Sequence, residues 1–313
     1  MFAGFECPTC NTLLAWPQPA LAHFSDVHQV VPPAALLAAI TAPEDEARRG
    51  GDFLSPSLAG GCMREQALKR TEAVWVNPLK AWKMSEGTLW HEVMQKNAAP
   101  GWLPEVKLPE HFVPNGTYGP DVTTFPLDLM GQSANVRRRL GVWELELWPD
   151  VWLSGRADAI KDDFTVLHDY KSKDSPVGSK RKGETVARYN VGNWPASDDH
   201  VLQLNIYALM VKRLTGVRPT LAIWQLYKGI QDAALAWRLL PVPFVEEAEL
   251  RASVEADFVR LRDVMRVEDA AKRRAAIGWM PLQGRTMFGG KKCSMYCGVK
   301  AACDAMLPVE ERW

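Results

Sequence analysis

Two short apolar runs, WLSGRADAI (152–160) and TVLHDYK (165–171), constrain this chain more than any other stretch. Each is rich in branched and aromatic residues, and only the polar turn Lys161-Asp162-Asp163-Phe164 separates them, so they read as the two arms of a hairpin. The hairpin sets Asp158 across from Asp169. Side chains alternate along a strand, so Asp169 and Lys171 share a face. Two carboxylates and an ammonium in one small volume can hold a hard divalent cation and orient a water beside it. That combination suits hydrolysis of a phosphate ester.

Two helical patterns frame the hairpin. Upstream, MSEGTLWHEVMQK (84–96) puts Gly87 four residues before His91, on one helix face. The glycine lets a neighbouring backbone approach, and His91 can offer a ring nitrogen to a metal. Downstream, DDHVLQLNIYALMVKRL (198–214) is an amphipathic helix in which Gln203 and Tyr207 stand one turn apart beside an apolar row of Leu204, Val211 and Leu214.

The order Gly-x-x-x-His, Gly-x-x-Asp, Asp-x-Lys, Gln-x-x-x-Tyr resembles the PD-(D/E)XK nucleases, and specifically their RecB-like branch. The resemblance covers residues 52–313 and implies an α/β core with a mixed central sheet flanked by helices. It implies that Asp158 and Asp169 bind Mg²⁺ or Mn²⁺, helped by His91 and the backbone carbonyl of Tyr170. Lys171 would orient or deprotonate the attacking water, and Gln203 and Tyr207 would position Lys171 or the substrate phosphate. Glu144 or Glu146, in the strand pattern WELELW, would assist.

The six cysteines divide into two sets. Cys7-x-x-Cys10, twelve residues, then His23-x₄-His28 has the spacing of a small ββα-type zinc finger, with Phe5 before the first cysteine and Leu14 after the second. A knuckle of thiolates and two imidazoles from one helix face make a closed tetrahedral Zn²⁺ site of structural type. Counting back from His23 puts Trp16, Pro19 and Ala22 at the positions that read bases in such fingers. None offers a bidentate donor or acceptor, so a protein partner, or a cap beside the nuclease channel, fits this module better than sequence reading.

The other four, Cys62, Cys293, Cys297 and Cys303, belong together by resemblance to the iron–sulfur subgroup that contains AddB, the mitochondrial exonuclease and the CRISPR-associated spacer-acquisition nuclease. There, four thiolates hold a [4Fe-4S] cluster. The tail here departs from the usual spacing, reading C-x₃-C-x₅-C where C-x₂-C-x₅-C is customary. Four sulfurs alone would suit zinc equally well. Nothing marks the chain as secreted, which argues against disulfides.

The expected organisation is a finger over 1–31, an Ala/Pro-rich and then charged linker over 32–51, and a nuclease domain over 52–313. The linker's apolar run is too short to span a bilayer, and no secretory leader opens the chain, so a cytoplasmic setting without membrane attachment is expected. Net charge is zero, against a generic polyanion binder, but basic clumps at 137–139, 171–182, 272–274 and 291–292 could line a DNA track. The loop 172–198, with Trp194 as a base-stacking candidate, is the best placed of these. Segment 100–141 reads as an insertion. Residues 219–229 and 232–242 read as strands, followed by one long charged helix over 244–274.

Together these features point to a metal-dependent nuclease acting on DNA, expected to be an exonuclease on single-stranded ends in phage or bacterial recombination and repair. The alternatives are a CRISPR-associated prespacer-processing nuclease, and a non-catalytic DNA-binding subunit of the same fold. Intact Asp158, Asp169 and Lys171 speak against the last.

Overall fold

The computed structural model describes residues 2–7, 10, 12–15, 23, 27, 52–72, 74–76, 90–113, 125–129, 132–174, 196–228, 237–282, 297 and 299–308. The chain divides into two units, Met1–Leu54 with Gly61–Thr88 and Glu255–Trp313, and Ser55–Gly60 with Leu89–Val254. In the first unit β1 (Phe2–Glu6) and β2 (Leu13–Ala15) form an antiparallel hairpin, followed along the chain by helix α1 (Met63–Thr71) and strand β3 (Val74–Val76). β3 pairs in parallel with β1, giving the order β2-β1-β3. This sheet draws on residues from both sides of the expected linker. The linker itself, and most of the helical half of the expected finger, lie outside the described residues.

The second unit begins its described part with a short helix α2 (90–96), then β4 (Trp102–Leu108). A four-stranded antiparallel sheet follows, in the order β5 (Phe125–Leu129), β6 (Gln132–Arg139), β7 (Val142–Trp148), β8 (Val151–Leu153). The chain then bends at Ser154 into β9 (Gly155–Lys161), which turns into β10 (Val166–Asp174). The turn is fixed by Asp163, whose Oδ1 accepts the Thr165 amide at 3.0 Å. As expected of the hairpin, Ile160 pairs with Leu167 and Ala159 with His168.

β10 and the next strand, β11 (Thr220–Lys228), run parallel, and a parallel pair needs a crossover. Helix α3 (Asp198–Thr215) supplies it. Its Leu204, Ile206, Leu209, Val211 and Leu214 are buried, and it packs on β10 and β11. Gly216, at φ +76°, ends the helix with its amide on the Lys212 carbonyl. β12 (Trp237–Val242) closes a mixed sheet of order β12-β11-β10-β9-β4. Two expectations change here. Segment 100–141 is not simply an insertion, because it supplies β4, the edge strand of the mixed sheet beside β9, before entering the second sheet. The run WLSGRADAI is not one strand, because it divides at Ser154 between the two sheets.

The C-terminal region carries α4 (Glu247–Met265), α5 (Ala270–Gly278) and α6 (Lys300–Asp304). The single helix expected over 244–274 is therefore broken. Asp269 causes the restart, since its side chain accepts the Lys272 amide at 2.7 Å and serves as an N-cap. In the first unit the buried Arg64 of α1 donates to the carbonyls of Met280, at 2.7 and 3.1 Å, and Gly278, fastening the end of α5. Among the described residues no helix is long and apolar enough to cross a membrane.

Gly155 shows how tightly α3 seats on the central sheet. A Cβ there would lie 2.7 Å from the Tyr207 ring and 2.9 Å from Pro56 Cδ. Gly155→Ala should therefore cost about 1–3 kcal/mol by overpacking, read as a fall of several degrees in thermal melting temperature. An unchanged melt would show that α3 can retreat freely.

Candidate active site

The ladder between β9 and β10 stops at Ala159 and His168. Beyond that point the Tyr170 amide donates to Asp158 Oδ2 at 2.7 Å, so a carboxylate fills the gap where a strand carbonyl would otherwise sit. On the other side of β9, β4 pairs Pro104 with Ala159 and Val106 with Ala157, which leaves Glu105 opposite Asp158. Glu105 has φ +51°, a left-handed backbone inside a strand. His91, from α2, brings Nδ1 to 3.3 Å from Asp158 Oδ1 and 4.0 Å from Glu105 Oε1. Ligand atoms of His91, Glu105 and Asp158 lie within 4.8 Å of one another.

Asp169 and Lys171 complete the cluster. The Lys171 ammonium donates to Asp169 Oδ1 at 2.9 Å and lies 2.8 Å from Oδ2. Oδ2 is buried and faces the same ammonium, so a cation binding Asp169 would share this carboxylate with Lys171. Carboxylates with one imidazole are a donor set suited to Mg²⁺ or Mn²⁺, and an imidazole with two carboxylates already within ligand reach of one another fits such an ion.

Electrostatics separate the two aspartates. Burial pushes Asp158 up, but the hydrogen bond with His91, the Lys171 charge and the Tyr170 amide outweigh it and hold the carboxyl below its ordinary value. Asp169 is pushed up to about 7, first by burial and then by Asp158, against the pull of Lys171. Lys171 is lowered by burial, yet Asp169 and Asp158 raise it further, so it stays an ammonium. The hydrogen bond to Asp158 raises His91.

The site thus brings together Asp158, Asp169, Lys171, Tyr170 and His91. Gln203 lies half-buried on α3 one turn before Tyr207. Tyr207 is buried against Gly155, and its hydroxyl accepts the Arg156 amide at 3.3 Å. Glu144 and Glu146 belong instead to the second sheet. Glu144 is held by Arg137 and Arg139 at 2.8 and 3.2 Å, and Glu146 accepts from Asn135 at 2.7 Å. The carboxylate beside Asp158 is Glu105, which the alternation Glu105-Val106-Lys107-Leu108 marks as a strand residue without telling which strand it joins. A second residue unseen in the sequence is Gln225, the register partner of Lys171 on β11, which is fully buried and accepts from Tyr227 at 2.9 Å.

Of the proposed zinc ligands, Cys7, Cys10 and His23 have ligand atoms within 4.8 Å of one another, and Cys10 Sγ lies 3.3 Å from His23 Nε2. His28 lies outside the described residues. Of the other set, Cys62 is buried at the start of α1, while Cys297 and Cys303 are half-buried. Arg64 Nη1 points to Cys303 Sγ at 3.9 Å. Burial pushes the Cys303 thiol up and Arg64 opposes it. Cys293, Gly87 and Trp194 lie outside the described residues.

Compared with known proteins, residues 68–304 match the model of the PD-(D/E)XK nuclease superfamily. No curated protein matches. Among solved structures, the crystal structure of SSO0001 is similar at 14% identity and a TM-score of 0.37, over 87% of this chain and 94% of that one.

A proton and a cation compete for Asp169. Because its carboxyl ionises only near 7, and His91, raised by Asp158, must also lose its proton to bind, Mn²⁺ affinity should weaken as pH falls through that range. Titration of Mn²⁺ by electron paramagnetic resonance from about pH 5 to 9 measures this. A plateau reached already near the ordinary aspartate range, about pH 4, would contradict the burial argument.

Proposed function

The chain belongs to the PD-(D/E)XK nuclease superfamily, and we propose that it is a divalent-metal-dependent deoxyribonuclease that degrades single-stranded DNA from its ends, in phage or bacterial recombination and repair. The observation that carries the catalytic reading is the convergence of Asp158, Asp169, Lys171, His91 and Glu105 where β9 and β10 part. A binding subunit that had lost activity would have no use for a buried carboxylate and ammonium at this point. The preference for single-stranded ends is what the resemblance to the RecB-like branch implies.

Asp158, Asp169, His91, Glu105 and the Tyr170 carbonyl would hold Mg²⁺ or Mn²⁺. The chemistry such an ion supplies when bound is polarisation of the scissile phosphate and a lowered pKa for a bound water. The remaining work falls to the chain itself. Lys171, kept charged by its two carboxylates, orients the attacking water and donates to the phosphoryl oxygen as charge builds on it. Tyr207, seated on Gly155 and the Arg156 amide, fixes the start of β9 and so the position of Asp158. Gln203, one turn earlier on the same helix, would position Lys171 or the substrate phosphate.

The same reading assigns Zn²⁺ to Cys7, Cys10, His23 and His28, and a [4Fe-4S] cluster to Cys62, Cys293, Cys297 and Cys303. The close approach of Cys7, Cys10 and His23 supports the first. The Arg64 cation beside Cys303 supports the second, since it opposes the burial that pushes that thiol up. The finger would contact a protein partner, and the cluster would tie α1 to the C-terminal tail.

Asp158→Ala, Asp169→Ala and Lys171→Ala should each reduce Mn²⁺-dependent cleavage of end-labelled DNA by about 10²-fold or more while the protein still melts cooperatively. Wild-type rates in either aspartate variant would refute the assigned centre. Elemental analysis of anaerobically purified protein should find zinc, together with iron and acid-labile sulfide. Zinc in both thiolate sites, with no sulfide, would overturn the cluster.

A further inference from the structure

Five aromatic rings cross one face of the central sheet. Pro104, Ala159, His168, Ala222 and Pro241 are successive cross-strand partners and so share a face, the one turned away from Leu167, Asp169 and Ile223. Trp102 and Trp224 lie two residues along from members of that row, and Trp237 pairs with Leu226, two residues beyond Trp224. Trp102 stacks on His168 with ring centres 4.5 Å apart and planes at 29°. They belong to strands separated by β9, about 9–10 Å apart, and they meet diagonally, past the small Ala159 opposite His168, while Lys161 is the β9 partner of Trp102. Trp224 Nε1 donates to His168 Nδ1 at 3.3 Å. Trp224 meets Trp237 edge to face at 6.5 Å, and Trp237 meets Trp90 of α2 the same way at 5.8 Å.

This row is not sealed as a core would be. Trp90 is 39% exposed, and beside it Val93 and Leu239 are 40% and 45% exposed. Contiguous exposed apolar surface marks a binding site more often than it occurs by chance. Each edge-to-face contact covers one face of one of its two rings, fewer than a fully stacked array would cover. The row reaches the catalytic cluster through α2, since Trp90 precedes His91, and the His91 ring meets Tyr170, two residues along from His168, edge to face at 6.2 Å.

Resting on the nuclease reading above, we propose that this face is a stacking platform for the bases of a single-stranded nucleic acid whose phosphate enters the cluster beside His91 and Asp158. Every base has a π-face, so such a platform accepts any sequence. Bases already stacked inside a duplex cannot use it. The platform therefore supplies strand selectivity without sequence selectivity.

The test uses the full chain without added Mg²⁺ or Mn²⁺ and fluorescein-labelled oligothymidylate, beside an abasic oligonucleotide of the same length and charge. Fluorescence anisotropy should show wild-type protein binding the abasic strand about tenfold or more weakly, given the usual worth of one stacked base. Trp90→Ala should weaken oligothymidylate binding and leave abasic binding unchanged, and Trp90→Phe should retain most of the affinity. Equal wild-type affinity for the two strands would overturn the platform without need of any variant, as would an equal loss on both strands in Trp90→Ala; a face that serves a protein partner would give that result. Base-dependent binding with no Mn²⁺-dependent cleavage would refute the nuclease reading and leave the platform standing. Cleavage with base-independent binding would do the reverse.

Discussion

The hydrogen bond from the Tyr170 amide to the Asp158 carboxylate is what allows the central sheet to open without losing its integrity. A strand that leaves its neighbour in a protein interior exposes an amide with no partner, at a cost of about 1–3 kcal/mol if nothing replaces it. Asp158 replaces it with a charged acceptor. Strand divergence and carboxylate placement are therefore one event. The parted strands make room for Asp169 and Lys171, and the interior that receives them is polar because the opening is itself held by a charge.

Buried charges in such a space must be nearly balanced. Lys171 faces Asp169 and feels Asp158, while His91 leans on Asp158 and Arg156 lies 3.2 Å from Glu105. Asp169 is raised first by burial and then by the Asp158 charge, and once His91 is neutral the three carboxylates face only Lys171 and Arg156, a shortage of positive charge. A divalent ion would relieve it. The same imbalance that makes the cluster a ligand for a cation makes it costly to keep empty at high pH.

The parts of this arrangement that were legible in the sequence are those joined by short chain. A four-residue turn fixes the β9–β10 register, so Asp158, Asp169 and Lys171 could be brought together on paper. α3, β11 and β12 declared themselves through periodicity. Glu105 could not be found this way. It and Glu144 both sit on alternating strands, and only the pairing of β4 with β9, across an inserted sheet, decides which carboxylate meets Asp158. The pairing of β1 with β3 is likewise a contact between distant segments. The break before α5 had a local signal in Asp269, but the charge pattern on either side hid it. Gly155 and Tyr207 were both singled out from their motifs, yet that each exists to accommodate the other is a fact of packing alone.

The backbone of Glu105 carries one more consequence. A residue with a side chain pays about 1 kcal/mol to hold a left-handed conformation, and glycine would pay nothing. At this position the demands of a sturdy fold and of a complete ligand set pull in opposite directions, so a substitution that removes the carboxylate also relaxes the strand. In a lineage that kept the scaffold and abandoned cleavage, Glu105 should be among the first residues to drift, toward glycine or asparagine. Its identity would then serve as a historical marker, separating copies that still cut from copies that have only inherited the shape.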